Sequence, residues 1–111
     1  MFSHWITAKY LYDLLTSEPE CVQVWDLRAS EDFRRLHIPG AKKIEGQQLL
    51  PLVEEFNQDI LIVVVGEESQ LKNLVDHFLS YDNVIFLGDG LESWLSSGYP
   101  VQSLEGERMG S

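Results

Sequence analysis

The stretch Ile60-Leu61-Ile62-Val63-Val64-Val65, followed directly by Gly66-Glu67-Glu68-Ser69-Gln70-Leu71, decides the fold of this chain. Six consecutive apolar residues, most of them β-branched, predict a strand buried on both faces, as in a parallel sheet covered by helices. After the polar turn, apolar residues recur at helical spacing and predict a helix; they are Leu71, Leu74, Val75, Phe78 and Leu79. Because ligands of open α/β sheets bind at such a carboxyl edge, we expect any binding site to lie here.

The same alternation of strand and helix patterns runs through the rest of the chain. Short apolar segments predict four further strands, at Trp5–Ile6, Cys21–Trp25, Lys43–Ile44 and Val84–Leu87. Apolar residues at helical spacing lie between and after them; they are Ala8, Leu11, Tyr12 and Leu15, then Leu49, Leu50, Leu52, Val53 and Phe56, then Leu91, Trp94 and Leu95. Short turns between these elements predict an α/β domain with a mostly parallel five-stranded sheet and helices on both faces, a three-layer α/β/α architecture.

Several residues are candidates for helix ends. Thr7, Ser30 and Asp89 precede helical patterns and are predicted N-caps. The short helix after Ser30 has acidic residues in its first turn and arginines in its last, which suits the helix dipole. Gly98, followed by Pro100, predicts the end of the last helix.

Composition excludes several classes of function. The 111 residues carry a formal net charge of −10, which argues against nucleic acid or an anionic membrane as a partner. The N-terminal residues Met1–Trp5 lack the pattern of a signal peptide, and no apolar run is long enough to span a bilayer. We therefore expect one cytoplasmic domain over residues 1–101, followed by a flexible polar tail over residues 102–111.

Two groups of motifs together resemble a known protein family. The first group is Val24-Trp25-Asp26-Leu27-Arg28, then Glu31-Asp32-Phe33, then His37-Ile38-Pro39-Gly40-Ala41. The second is Asn83-Val84-Ile85-Phe86-Leu87-Gly88-Asp89-Gly90-Leu91-Glu92-Ser93-Trp94, then Gly98-Tyr99-Pro100-Val101. The resemblance, which is to the rhodanese family, covers about Trp5 to Val101 and implies a rhodanese-like fold. It also implies sulfurtransferase chemistry, in which active members carry a cysteine immediately after the central strand.

The chain departs from the family at the position of that cysteine. Gly66 stands there, or Val65 if the register shifts by one residue, and neither can act as a sulfur nucleophile. The arginine usual in this loop is replaced by Glu67 and Glu68, which would repel thiosulfate or a persulfide. Leu36 replaces the usual glycine before the His-Ile-Pro turn. We therefore expect no catalysis of the family type.

Other residues near this loop have both a chemical and a structural interpretation. Ser69 lacks a base beyond nearby carboxylates, so we expect it to cap the helix rather than attack a substrate. Adjacent Glu67 and Glu68 rarely face each other on a turn, which favours a solvated acidic loop or a contact with a basic partner over an acid–base pair. Cys21, the sole cysteine, begins a strand at the opposite end of the sheet, and we expect it to be buried or half-buried and inert.

The remaining polar residues favour structural roles. His37 is expected to shape its turn, and His4 and His77 show no metal-ligand spacing, so we expect neither a metal nor a cofactor. Gly88-Asp89-Gly90 lacks the residues of a nucleotide-binding loop and is expected to form a tight turn. Asp26 and Arg28 are expected to hold the strand end through hydrogen bonds, a scaffold role.

Three functional hypotheses follow. The first is a catalytically inactive rhodanese-like domain that acts in protein interaction or regulation, with Gly66, Glu67, Glu68, Ser69, Gln70 and Leu71 as the contact loop. Its partner would be a protein with a basic surface. The second is a sulfurtransferase that works with a thiol from a partner or another domain. The third is a non-catalytic domain of a longer chain, proposed by analogy with two-domain members of the family.

Overall fold

A computed structural model gives the structure of the chain and describes residues 4–56, 58–88 and 90–104. Within these ranges five strands form one sheet in the order β1-β5-β4-β2-β3, and the neighbouring strands pair in parallel. The strands are β1 (Trp5–Ile6), β2 (Val22–Asp26), β3 (Lys42–Lys43), β4 (Leu61–Val65) and β5 (Val84–Leu87). The predicted α/β fold with a parallel five-stranded sheet is therefore confirmed.

In the described part of the chain, five α-helices connect and cover these strands. They are α1 (Ala8–Ser17), α2 (Ser30–Arg35), α3 (Leu49–Glu55), α4 (Glu68–Val75) and α5 (Gly90–Ser96). Short 3₁₀ helices at Pro19–Cys21, Gly46–Gln48 and Asp76–Phe78 adjoin three of the α-helices. No helix in the described part of the chain is long and apolar enough to cross a membrane.

The central strand divides the core into two layers because successive side chains of a strand point to opposite faces. Val63 and Val65 of β4 pack with α1 and α5, whose buried residues include Leu11 and Trp94. Ile62 and Val64 pack with α3 and α4, which contribute Leu49, Val53 and Leu71. These four β4 side chains are fully buried, as the apolar run predicted, whereas Leu61 at the start of the strand is half-buried.

Two of the predicted helix ends are confirmed and one is wrong. Thr7 is the N-cap of α1, where its Oγ1 accepts a hydrogen bond of 3.1 Å from the Tyr10 amide. Gly98 has φ +79°, the left-handed conformation predicted for the end of α5. Ser30 is the first helical residue rather than the cap of α2, because the Ala29 carbonyl already accepts from the Phe33 amide. The predicted cap Asp89 lies outside the described residues.

The structure corrects three burial predictions. Leu79 and Leu95 are 56% and 41% exposed. α4 ends at Val75 and the chain tightens into a 3₁₀ turn, which carries Leu79 away from the apolar face that the helical period predicted. Cys21 is also exposed, because the chain from Pro19 forms a 3₁₀ helix and the strand begins only at Val22.

The segment after Val101 is attached to the domain through its backbone. Gln102 exchanges hydrogen bonds of 2.8 and 2.9 Å with the backbone of His37, and the Leu104 amide donates to the Arg34 carbonyl at 2.9 Å. The first residues of the predicted tail therefore hold the C-terminal end of α2. The domain boundary itself stays a prediction, since residues 105–111 lie outside the described part of the chain.

Removing this attachment is expected to destabilise the domain. A chain that ends at Val101 loses the three backbone hydrogen bonds to α2 and the turn after it, and we expect its free energy of unfolding to fall by about 1–2 kcal/mol. A chain that ends at Leu104 keeps these bonds and is the matched control. Urea unfolding of both chains measures the difference, and equal midpoints would show that the segment contributes nothing.

Candidate functional site

The carboxyl edge of the sheet carries the predicted site loop, which is very short. β4 ends at Val65 and α4 begins at Glu68, so only Gly66 and Glu67 lie between strand and helix. The Glu67 carbonyl accepts the first helical hydrogen bond, from the Leu71 amide at 3.0 Å, which makes Glu67 the N-cap residue. Ser69 is the second helical residue, so its predicted role as N-cap is wrong.

The six predicted contact residues separate into three groups. Gly66, Glu67 and Glu68 line a cleft, together with residues of α2 and α5. Ser69 is exposed and does not line the cleft, and Leu71 is 1% exposed in the core beneath α4. Gln70 is half-buried, and its Nε2 lies 3.5 Å from the Leu27 carbonyl oxygen. The loop therefore supplies one wall of the cleft and part of the core.

The cleft is open and has a volume of about 1200 Å³. Its apolar lining comes from Leu91 and Leu95 of α5. Its charged lining residues are Arg28, Asp32, Arg35, Glu67, Glu68 and Glu92. Such a volume would accommodate a peptide segment or an extended side chain, since ligand clefts of this order are common in proteins.

Arg28, which lines the cleft, forms an ion pair with the buried carboxylate of Asp26. Its Nη2 lies 2.8 Å from Asp26 Oδ2, and its Nε lies 3.0 Å from Oδ1 of the same carboxylate. The backbone amide of Arg28 also donates to Asp26 Oδ1 at 2.9 Å, and Nη2 donates to the Leu36 carbonyl at 2.6 Å. This network joins the end of β2 to the turn after α2, so the scaffold role predicted for Asp26 and Arg28 is confirmed.

The ion pair leaves the cleft with an excess of negative charge. Asp26 is 1% exposed and neutralises Arg28 at close range. Among the charged residues that line the cleft, Arg35 then faces four carboxylates, those of Asp32, Glu67, Glu68 and Glu92. Glu68 has Lys72 4.0 Å away, but both side chains are largely exposed and such a pair contributes little. The cleft is suited to a cation rather than an anion.

The turn that contains Leu36 and His37 is stabilised by contacts between the buried His37 ring and Phe33 of α2. His37 is 4% exposed, its Nδ1 lies 2.8 Å from the Phe33 carbonyl oxygen, and its ring stacks on that of Phe33 with centroids 4.0 Å apart. These contacts agree with a structural role. No group of three or more histidine, cysteine, aspartate or glutamate residues in the described ranges could hold a metal ion.

Cys21 lies at the other end of the sheet. The strand that follows it starts at Val22, which pairs with Leu61 at the amino end of β4, whereas Gly66 follows the carboxyl end. Its thiol is exposed and free, which corrects the predicted burial, but the predicted location away from the cleft is confirmed. The only cysteine of the sequence is therefore separated from the cleft by the length of the central strands.

Comparison with known proteins identifies the fold. A sequence model of the rhodanese-like domain matches residues 7–97. The chain belongs to the rhodanese-like domain family. No curated protein sequence matches it.

Solved structures also resemble this rhodanese-like domain. The Alr3790 protein from Anabaena sp. is 22% identical with a TM-score of 0.76, and the match covers 94% of this chain and 88% of that one. BH2092 from Bacillus halodurans is 20% identical with a TM-score of 0.75, and its coverage is 92% and 78%. Thiosulfate sulfurtransferase from Pseudomonas aeruginosa is 23% identical with a TM-score of 0.72, but only 20% of that chain is matched, against 92% of this one. These identities show a shared fold.

Sequence reasoning missed the part of the cleft that other helices provide. Asp32 and Arg35 come from α2, and Glu92, Leu95 and Ser96 come from α5. In a parallel sheet the helices after neighbouring strands begin at the same edge, which was a usable signal. This rule predicts which helices begin near the loop, but it does not predict which of their side chains face it.

The buried pair of the rhodanese-like domain is expected to be essential for its stability. Arg28→Met leaves the Asp26 carboxylate buried without a cation, so we expect the free energy of unfolding to fall by about 3 kcal/mol. Lys9→Met removes one partner of the exposed Lys9–Asp13 pair and is the control, with an unfolding midpoint near that of the unchanged protein. Equal midpoints for the two variants would contradict a stabilising role for Arg28.

Proposed function

We propose that this rhodanese-like domain is non-catalytic and binds a protein with a basic surface at the cleft beside Gly66. The observation that carries the proposal is the residue that follows the central strand: it is glycine, and the sole cysteine lies at the opposite end of the sheet. The family resemblance places the sulfur-carrying cysteine directly after this strand. Gly66 therefore stands where the family resemblance implies the nucleophile, but it has no nucleophilic group.

The other groups at the cleft offer no replacement for that nucleophile. Ser93 and Ser96 line it, but its titratable lining groups are carboxylates and arginines, without a histidine to activate a hydroxyl. Four carboxylates would also weaken the binding of thiosulfate or a persulfide anion. Both considerations support a binding role.

Charge and shape support a basic partner. Lysine or arginine side chains would find Glu67, Glu68 and Glu92 on the rim, and an apolar side chain would find the exposed Leu95. Single exposed charge pairs contribute little, whereas several carboxylates around one cleft add their fields and speed association. We expect such binding to weaken strongly with added salt.

A second candidate is sulfur transfer with a thiol supplied by a partner or another domain. An open cleft at the carboxyl edge favours it, as does the similarity to a domain-sized part of the longer Pseudomonas aeruginosa thiosulfate sulfurtransferase. A non-catalytic domain within a longer chain is compatible with either candidate. The cytoplasmic location and the boundary at Val101 stay predictions.

Sulfur transfer from thiosulfate to cyanide separates the two candidates. We expect no turnover above the rate without protein, because the cleft lacks a thiol. Cys21→Ser is the control and should give the same result. Turnover that disappears in Cys21→Ser would contradict the non-catalytic proposal. Turnover that appears only when both the protein and an added small thiol are present would also contradict it and would support the second candidate.

Binding of a basic ligand is tested with a short lysine-rich peptide that contains one leucine. Addition of the peptide to ¹⁵N-labelled protein is expected to shift the amide signals of residues 66–71 and of α5, and added salt should reverse the shifts.

Charge-reversal variants give this experiment its control. Glu67→Lys with Glu68→Lys should abolish the shifts. Glu18→Lys with Glu20→Lys changes the net charge equally, but at exposed residues on either side of Pro19, near the opposite edge, and should leave the shifts in place. If both double variants lose the amide shifts equally, the peptide is attracted by the net charge of the protein, and a binding site at the cleft is contradicted.

A further inference from the structure

The cleft carries charges of both signs that do not pair with each other. Arg35 comes from α2, whereas Glu67 belongs to the turn after β4 and Glu92 to α5. Arg35 takes part in none of the ion pairs that the described residues form. These pairs are Lys9–Asp13, Arg28–Asp26, Lys43–Glu45 and Lys72–Glu68. The Arg35 guanidinium is therefore out of direct contact with the carboxylates of the cleft.

The two arginines that line the cleft differ in what holds them. Arg28 donates to the Asp26 carboxylate and to the Leu36 carbonyl, so its Nε and Nη2 are already engaged. Arg35 is exposed, and no hydrogen bond in the described part of the chain involves its guanidinium. The N–H donors of Arg35 are therefore available to a ligand.

This unpaired cation penalises a ligand whose charged groups are all basic. Such a ligand brings like charge close to Arg35, and covering the guanidinium removes its water without replacing the lost hydrogen bonds. A carboxylate next to the basic groups of the ligand relieves both penalties, because it accepts from the guanidinium while the basic groups stay near Glu67 and Glu92.

We propose that Arg35 selects the ligand of this cleft, and that the ligand is a peptide segment in which lysine or arginine residues stand close to one aspartate or glutamate. The basic residues lie against the carboxylates of the rim, and the acidic residue accepts hydrogen bonds from Arg35. This inference rests on the proposed function and adds the specificity-determining residue of the same site.

The charge of the cleft favours a carboxylate over a phosphate as the anionic group of the ligand. The four lining carboxylates repel any anion, and the repulsion grows with the charge that the anion carries. A phosphate monoester carries a charge of about −1.5 to −2 at neutral pH, whereas a carboxylate carries a single negative charge. One arginine can therefore compensate a carboxylate but not a phosphate.

A double-mutant cycle between protein and peptide tests the proposal. Two capped peptides each contain two lysines and one leucine, and differ in one further residue, which is glutamate in the first and glutamine in the second. A second such pair has this residue on the other side of the lysines, so that both directions of binding are covered. We expect Arg35→Met to weaken binding of the glutamate peptide about three- to fivefold more than binding of the glutamine peptide, the range for an exposed charge pair. Titration of ¹⁵N-labelled protein gives the dissociation constants.

Arg34→Met is the matched control. Arg34 precedes Arg35 in the last turn of α2 and is also exposed, but it does not line the cleft. Its replacement should change the affinity for both peptides by the same factor. Arg35→Glu reverses the expectation and should favour a third peptide, with lysine at the variable position.

An affinity ratio of the two peptides that is the same before and after Arg35→Met would overturn the selection by Arg35. The basic-partner proposal would then still stand, because both peptides bind. Equal changes of the ratio in Arg34→Met and Arg35→Met would also overturn the selection, since the effect would come from the charge of α2 as a whole. Absence of binding by every peptide would contradict the proposed function, and the selection by Arg35 with it.

Discussion

The burial of four consecutive residues of β4 is the constraint on which the rest of the structure depends. Its residues Ile62–Val65 are each fully buried, so their backbone groups cannot bond to water and must pair with neighbouring strands. They pair with β2 on one side and β5 on the other, both in parallel. Parallel strands need crossover connections, and these place α1 and α5 on one face and α3 and α4 on the other. The carboxyl ends of β2, β4 and β5 therefore meet at one edge, where the cleft forms.

At this edge the Asp26–Arg28 ion pair stabilises the fold, and it also neutralises the positive charge that Arg28 would otherwise present to the cleft. The guanidinium is directed to a buried carboxylate and to the Leu36 carbonyl, so it stabilises the strand end and the turn after α2. The carboxylates on the rim are then left in excess. Gly66 follows β4 directly at this edge and presents no side chain there. Folding depends on the core and function on a few residues at one edge, so a fold can be kept while the residues at that edge differ.

The sequence by itself determined the five strands, their parallel arrangement and the family. Runs such as Ile60–Val65 and Val84–Leu87 are local signals, because a strand buried on both faces needs apolar residues at every position. The absence of a cysteine after the central strand was also visible in the sequence, as was the position of Cys21 at the other end. Thr7 and Gly98 were predictable because a cap depends on only a few neighbouring residues.

Only the tertiary structure decided which side chains are buried and which meet in the cleft. The turn after β4 is so short that α4 begins before Ser69, and the 3₁₀ turns at Pro19–Cys21 and Asp76–Phe78 leave Cys21 and Leu79 exposed. The contact between Gln70 and the Leu27 carbonyl joins residues 43 positions apart, and the cleft gathers residues from α2, the β4–α4 turn and α5. Such contacts depend on how elements far apart in the chain are oriented against each other, and a local pattern carries no information about that orientation.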